Sequence, residues 1–131
     1  MKKFALLVYT DNALLDALPP GQLDESLREC FAHTDGLREK GRLLDAQMLE
    51  DAATARSVRV RGGHRTIVDG PFTETKELLA GFNLIEAESM EEAVRMAMEF
   101  PWVSTGCMEV REVKDLRAVR KQVTDSTSTV G

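Results

Sequence analysis

A seven-residue run near the start of the chain, Phe4-Ala5-Leu6-Leu7-Val8-Tyr9-Thr10, is apolar almost throughout and rich in β-formers. It lacks the in-and-out alternation of a half-exposed strand, so it reads as a central strand buried on both faces. A chain containing such a strand needs a sheet around it and a cover over each side of that sheet. The rest of the sequence can be read for what supplies them.

Asp11 to Gly21, with Pro19-Pro20, reads as a loop. Gln22 to Lys40 follows as an amphipathic helix with a stripe of Leu23, Leu27, Cys30, Phe31 and Leu37. Asp24 sits near its start, Arg38 and Lys40 complement the dipole at its end, and Gly41 supplies the C-cap. Gly36 weakens that helix by ~1 kcal/mol relative to alanine. Arg42 to Leu49 reads as a second strand and Glu50 to Arg56 as a connector. Ser57–Arg61 and His64–Val68 flank Gly62-Gly63, the signature of a β-hairpin. A two-residue turn sets Val60 opposite Arg65. A three-residue loop with a bulge sets Val60 opposite Thr66 and Val58 opposite Val68, and because it keeps one face apolar it is the register expected.

Ala80 to Ala87 alternates as a further strand. Ser89 with Glu92 three residues on forms a capping box for a helix whose buried side is Ala93, Val94, Met96, Ala97 and Phe100, and Pro101 stops it. Gly106 to Val113 makes the last strand. Residues 1–121 are expected to form one domain, and the Ser/Thr-rich stretch 122–131 a mobile tail. The order is strand, helix, strand, hairpin, strand, helix, strand. This is the βαββαβ plan of an α+β, ferredoxin-like sandwich with an inserted hairpin. Both helices of such a plan lie on one face of the sheet, and a second copy of the chain is the economical cover for the other.

Composition narrows the function classes. At 131 residues with 43% hydrophobic and 30% charged residues, the chain is of ordinary globular make-up. Asp and Glu exceed Lys and Arg by 22 to 17, which is not the footprint of a nucleic-acid binder. Cys30 and Cys107 are far apart and accompany only His33 and His64, so neither a disulfide scaffold nor a metal site is suggested, and no cofactor motif stands out. The apolar run after Lys3 ends at Thr10-Asp11-Asn12, too short for a signal peptide or a membrane span. A cytoplasmic location is expected.

The stretch Asp69-Gly70-Pro71-Phe72-Thr73-Glu74-Thr75-Lys76-Glu77 is the compositional oddity of the chain. Asp-Gly-Pro ends a strand, and one aromatic followed by a dense polar run exceeds what a connector needs. Two readings stand: a loop lining a site with Phe72, Glu74 and Lys76, or an Asx turn at Asp69 with Thr73 capping a short helix through Leu79. Arg56, Arg59, Arg61 and Arg65 make the hairpin basic, either as a solvated face or as a receptor for an anion or a partner's carboxylate.

This stretch, with Gly81-Phe82-Asn83-Leu84-Ile85, the helix at Met90 to Phe100, Gly41-Arg42-Leu43-Leu44 and Glu109-Val110-Arg111-Glu112-Val113, resembles the DGPF branch of the YCII-related proteins over Met1 to about Val113. The resemblance implies a dimeric α/β-barrel of ferredoxin-like subunits and small acid/base enzymes among the wider family. Those members are similar in carrying a histidine on the first helix and an aspartate just before a proline at the end of the second. His33 matches the histidine. Phe100 precedes Pro101, with Glu99 nearby, so Asp69 is the carboxylate expected to orient His33 as a catalytic pair. His33 lies at the edge of its helix's buried stripe, where it either lines a cleft between helix and sheet or is satisfied by a backbone carbonyl. Tyr9 is expected to present its hydroxyl to the same cleft. Two functions follow: a cofactor-free lyase or isomerase acting on a small polar or aromatic acid, or a non-catalytic dimer that binds a small-molecule metabolite.

Overall fold

The apolar run becomes β1 (Lys2–Asp11) of a computed structural model that describes residues 1–73 and 75–130, with side chains through residue 126. The chain continues through α1 (Asn12–Asp16), α2 (Gln22–Glu39), β2 (Leu43–Met48), β3 (Arg56–Arg61), β4 (His64–Asp69), β5 (Glu77–Ala87), α3 (Met90–Met98), β6 (Gly106–Glu112) and α4 (Leu116–Val130). Four strands form one antiparallel sheet in the order β2-β5-β1-β6, and β3 pairs only with β4. The fold is α+β and ferredoxin-like, as the element order predicts. No helix among the described residues is long and apolar enough to cross a membrane.

Period-2 geometry divides β1 between two environments. Phe4, Leu6 and Val8 point under the helices and meet Ile85 and Ala87 of β5, Ala93 and Ala97 of α3, and Phe100. Phe4, Leu6, Ile85 and Phe100 are fully buried, each burial contributing about 1.5–3 kcal/mol. Alanines at 93 and 97 let α3 lie close on the sheet. Ala5, Leu7 and Tyr9 alternate to the other face, where they are only half-buried, as are Phe82 and Leu84 of β5, so the strand is central but not buried on both faces as its unbroken apolar run predicts. Among the described residues no helix covers this second face.

Helix α3 begins as the sequence predicts: the Ser89 Oγ accepts from the Glu92 N–H at 3.2 Å, while the Glu92 carboxylate returns to the Glu88 N–H at 3.2 Å and binds Arg42. Helix α2 is rotated from its predicted phase. Its buried face is Ser26, Cys30, Thr34 and Leu37, and Leu23 and Phe31 are exposed. The small polar residues can be buried because the helix satisfies them locally: the Thr34 hydroxyl donates to the Phe31 carbonyl (3.0 Å) and Ser26 Oγ accepts from Gln22 (3.4 Å). The segment predicted as loop after β1 contains α1, whose start is capped by Asp11 Oδ1 accepting from the Ala13 N–H at 2.9 Å. Helix α4 runs across residue 122, the boundary predicted for the tail.

The hairpin register also differs from expectation. Val60 faces Arg65, Val58 faces Ile67 and Arg61 faces His64, so the turn has two residues. Gly62 and Gly63 both have positive φ (56° and 79°), the type I′ geometry that such a turn demands. Burial cannot enforce the alternative register, because the residues of both strands are exposed apart from half-buried Ser57.

Candidate functional site: a cleft between helix α2 and the sheet

Where β2, β5 and β1 run out from under α2, they leave a cleft of about 750 Å³. Val8 and Thr10 come from β1, Ala46 and Met48 from β2, and Gly81 and Asn83 from β5. Cys30, Phe31 and Thr34 of α2 form the opposite wall and Trp102 lies at depth. Gly81 is required here by close approach, since a Cβ on it would stand 2.5 Å from the Gln47 carbonyl oxygen of β2. Asp35, Arg38, Glu50 and Asp51 surround the mouth. The volume is that of a small-molecule site.

Asn83 is the distinctive group in this cleft. It occupies the buried phase of β5 between Gly81 and Ile85 and is only 7% exposed. Its side chain makes no hydrogen bond among the described residues. Cys30 is buried, and burial pushes its thiol above the ordinary range, with a hydrogen bond from Trp102 opposing part of that shift. The thiol is therefore held protonated and is not an activated nucleophile. The cleft can thus receive a largely apolar body and offer one amide able both to donate and to accept.

The residues singled out from sequence lie elsewhere. His33 faces away from the cleft toward the end of α3: its Nε2 donates to the Met96 carbonyl at 3.0 Å, its Nδ1 lies 3.5 Å from Glu99 Oε2, and its ring meets Phe100 edge-on at 4.5 Å. With its side chain 13% exposed, His33 ties α2 to the last turn of α3, whose carbonyls lack helical partners. Asp69 instead binds Arg56 across the base of the hairpin at 2.8 Å. The structure does not bring His33 and Asp69 together: the carboxylate beside His33 is Glu99, whose longer side chain reaches the ring from two residues before Pro101.

Tyr9 projects from the sheet face opposite the helices, so it shares no cleft with His33. Its phenol is pushed up by burial and by a hydrogen bond to Glu109, which Arg111 also binds at 2.9 Å. Phe72 is 71% exposed beneath the Arg59 guanidinium, 5.8 Å from its ring centroid. Lys76 is exposed, and Glu74 lies outside the described residues. Thr73 caps no helix, because Glu77 to Leu79 already belong to β5. In the Asp-Gly-Pro stretch, Gly70 (φ 94°) donates its N–H to the Ala55 carbonyl at 2.7 Å and its own carbonyl accepts from Ser57 Oγ at 2.9 Å. These bonds, with Arg56–Asp69, close the base of the hairpin. Asn83 was missed, although an amide on the buried phase of an otherwise apolar strand is a signal that alternation could have exposed.

A ferredoxin-like α+β domain with an open sheet face, a helix–sheet cleft and a projecting hairpin is the class this geometry defines. The family model of the YCII-related domain matches residues 2–117. An uncharacterised protein of Rhizobium meliloti (strain 1021) is 34% identical over 110 residues, covering 82% of this chain and 89% of that protein. The chain belongs to the YCII-related family.

Proposed function

We propose that this protein binds a small metabolite, with an apolar or aromatic body and a group complementary to an amide, in the α2–sheet cleft, and that it does so as a homodimer without using His33 as a catalyst. The observation that carries the reading is Asn83, an amide on the buried phase of β5 with no protein partner among the described residues, whose polar atoms open onto a cleft of ligand size. A ligand hydrogen-bonded to that amide would gain about 0.5–1.5 kcal/mol net per bond. The half-buried apolar face of Ala5, Leu7, Phe82 and Leu84 supports a dimer in which a second copy covers the sheet, giving an α/β-barrel. The motif from Asp69 to Glu77 supports placement in the DGPF branch, and two unpaired cysteines support a reducing, cytoplasmic setting.

A cofactor-free lyase or isomerase on a small polar or aromatic acid is the second reading, favoured by one observation: Glu99 gives His33 a carboxylate neighbour. Against it, Nε2 is committed to the Met96 carbonyl and Nδ1 faces the Glu99 carboxylate, so both ring nitrogens are turned toward α3 and away from the cleft.

A thermal-shift screen with a metabolite library, run on wild type, Asn83→Leu and His33→Ala, separates the two. A ligand at 100-fold its dissociation constant adds ~2.7 kcal/mol of stability. The expected result is a compound that shifts wild type and His33→Ala, each from its own baseline, but not Asn83→Leu. A shift retained by Asn83→Leu and lost in His33→Ala, or no shift with any compound, overturns the binding reading.

A further inference from the structure

The β3–β4 ribbon has no neighbouring strand among the described residues, and a two-stranded hairpin is marginal on its own in water. Its observed register gathers Val58, Val60 and Ile67 on one side, with Arg65 toward the tip. Val58 and Ile67, directly opposite each other, are 73% and 71% exposed. An apolar cross-strand pair turned to solvent on a projecting ribbon has the make-up of a docking surface. The ribbon is also basic, with Arg56, Arg59, Arg61 and Arg65 against Asp69, in a chain of net charge -5. Arg56 is matched by Asp69 and Arg59 lies over Phe72, whereas the Arg65 side chain has no partner among the described residues.

The complement is on the same molecule. The connector from which the ribbon rises carries Glu50 and Asp51 at the mouth of the cleft, and the cation lining that mouth, Arg38, is already beside Asp35 at 3.5 Å. In a two-fold interface every contact from residue i to residue j is repeated from j to i. A basic apolar arm and an acidic rim that neighbour each other on one surface are therefore self-complementary between two copies.

We propose that the β3–β4 arm docks on a second copy of this chain, laying Val58 and Ile67 against it and Arg65 against the Glu50–Asp51 rim, so that each cleft is completed by the other copy's arm. The proposal rests on the cleft as the ligand site for its consequence, but not for its test. Sedimentation velocity across a concentration series needs no ligand and is read on wild type, Ile67→Glu, Arg65→Glu, Arg65→Glu with Asp51→Arg, and Leu84→Glu on the open sheet face. Circular dichroism melts check that each variant keeps its fold.

The expected result is a wild-type dimer whose dissociation constant rises at least tenfold in Ile67→Glu and Arg65→Glu and recovers in the charge-exchanged double variant. A monomeric wild type overturns the proposal. So do arm variants that dimerise as tightly as wild type while Leu84→Glu does not, which would leave a sheet-face dimer with free arms. A double variant with no recovery refutes the contact between arm and rim. If the arm variants alter ligand-induced thermal shifts in a monomer, the arm closes over its own cleft and the exchange is wrong.

Discussion

Replacing His33 with alanine tests whether this histidine is a strut or a catalyst. The change deletes a part-buried hydrogen bond to the Met96 carbonyl, an edge contact on Phe100 and a 3.5 Å pairing with Glu99. A net hydrogen bond is worth about 1 kcal/mol and an aromatic edge contact about 1 kcal/mol beyond area. The Glu99 contact adds little, because that carboxylate is 72% exposed and exposed pairings rarely exceed about 1 kcal/mol. His33→Ala should therefore cost about 2–3 kcal/mol, or roughly 8–12 °C in melting temperature for a chain of this length. Glu99→Gln should cost less than about 1 kcal/mol. Urea and thermal unfolding followed by circular dichroism give both values. A His33→Ala variant as stable as wild type would refute the strut, and would return the histidine to candidacy as a chemical group.

Three further changes probe the fold. Gly106→Ala would place a Cβ 1.9 Å from the Tyr9 carbonyl oxygen in the neighbouring strand, so β1 and β6 must separate and the urea midpoint should fall by the equivalent of about 3 kcal/mol. Gly70→Ala forces φ of 94° on a residue with a side chain, at about 1–2 kcal/mol. Because the arm pairs with no other strand among the described residues, limited proteolysis should cut it faster while the global melt barely moves. The Glu92 carboxyl is held below the ordinary range by its hydrogen bond to Arg42 and then by the Glu88 N–H. It therefore stabilises the fold above the pKa of an unfolded glutamate, and that contribution is lost as pH falls through the lower folded value. Melting curves from neutral to acid pH should accordingly slope less steeply for Glu92→Gln than for wild type.

The parts of this fold legible in sequence are those where one local rule acts without competition. The apolar run at Phe4 to Thr10 could only be a central strand, and Ser89 with Glu92 could only begin a helix. Where two rules compete, the sequence does not show which prevails. Burial favours the bulged hairpin register, but with both faces exposed the turn decides it, and two consecutive positive-φ glycines close a two-residue loop. The phase of α2 was read from Leu23 and Phe31, but the sheet accepted the small side chains of Ser26 and Thr34, leaving Phe31 at the cleft. The cleft itself is hard to read in sequence because Val8, Thr34, Ala46 and Asn83 lie on four elements, none carries a charge, and only the fold brings them together.

The DGPF stretch acquires a physical reason that does not require catalysis. Catalytic pairing would need Asp69 near a histidine, whereas its carboxylate is engaged by Arg56 at the foot of the hairpin. Gly70 then accepts from Ser57 and donates to Ala55, which locks the two roots of the arm at a conformation only glycine takes at little cost. Pro71 cannot extend the pairing, and Phe72 folds under Arg59. These four residues thus determine how the arm leaves the body and where the chain turns to begin β5. Since the Glu50–Asp51 rim belongs to the connector feeding β3, and Leu78 and Leu79 at the start of β5 line the same cleft, the clamp also fixes the arm relative to the mouth it borders. A rigid foot beneath a solvent-exposed apolar ribbon makes physical sense if something docks on that ribbon, because a preorganised arm loses less conformational entropy on binding than a mobile one.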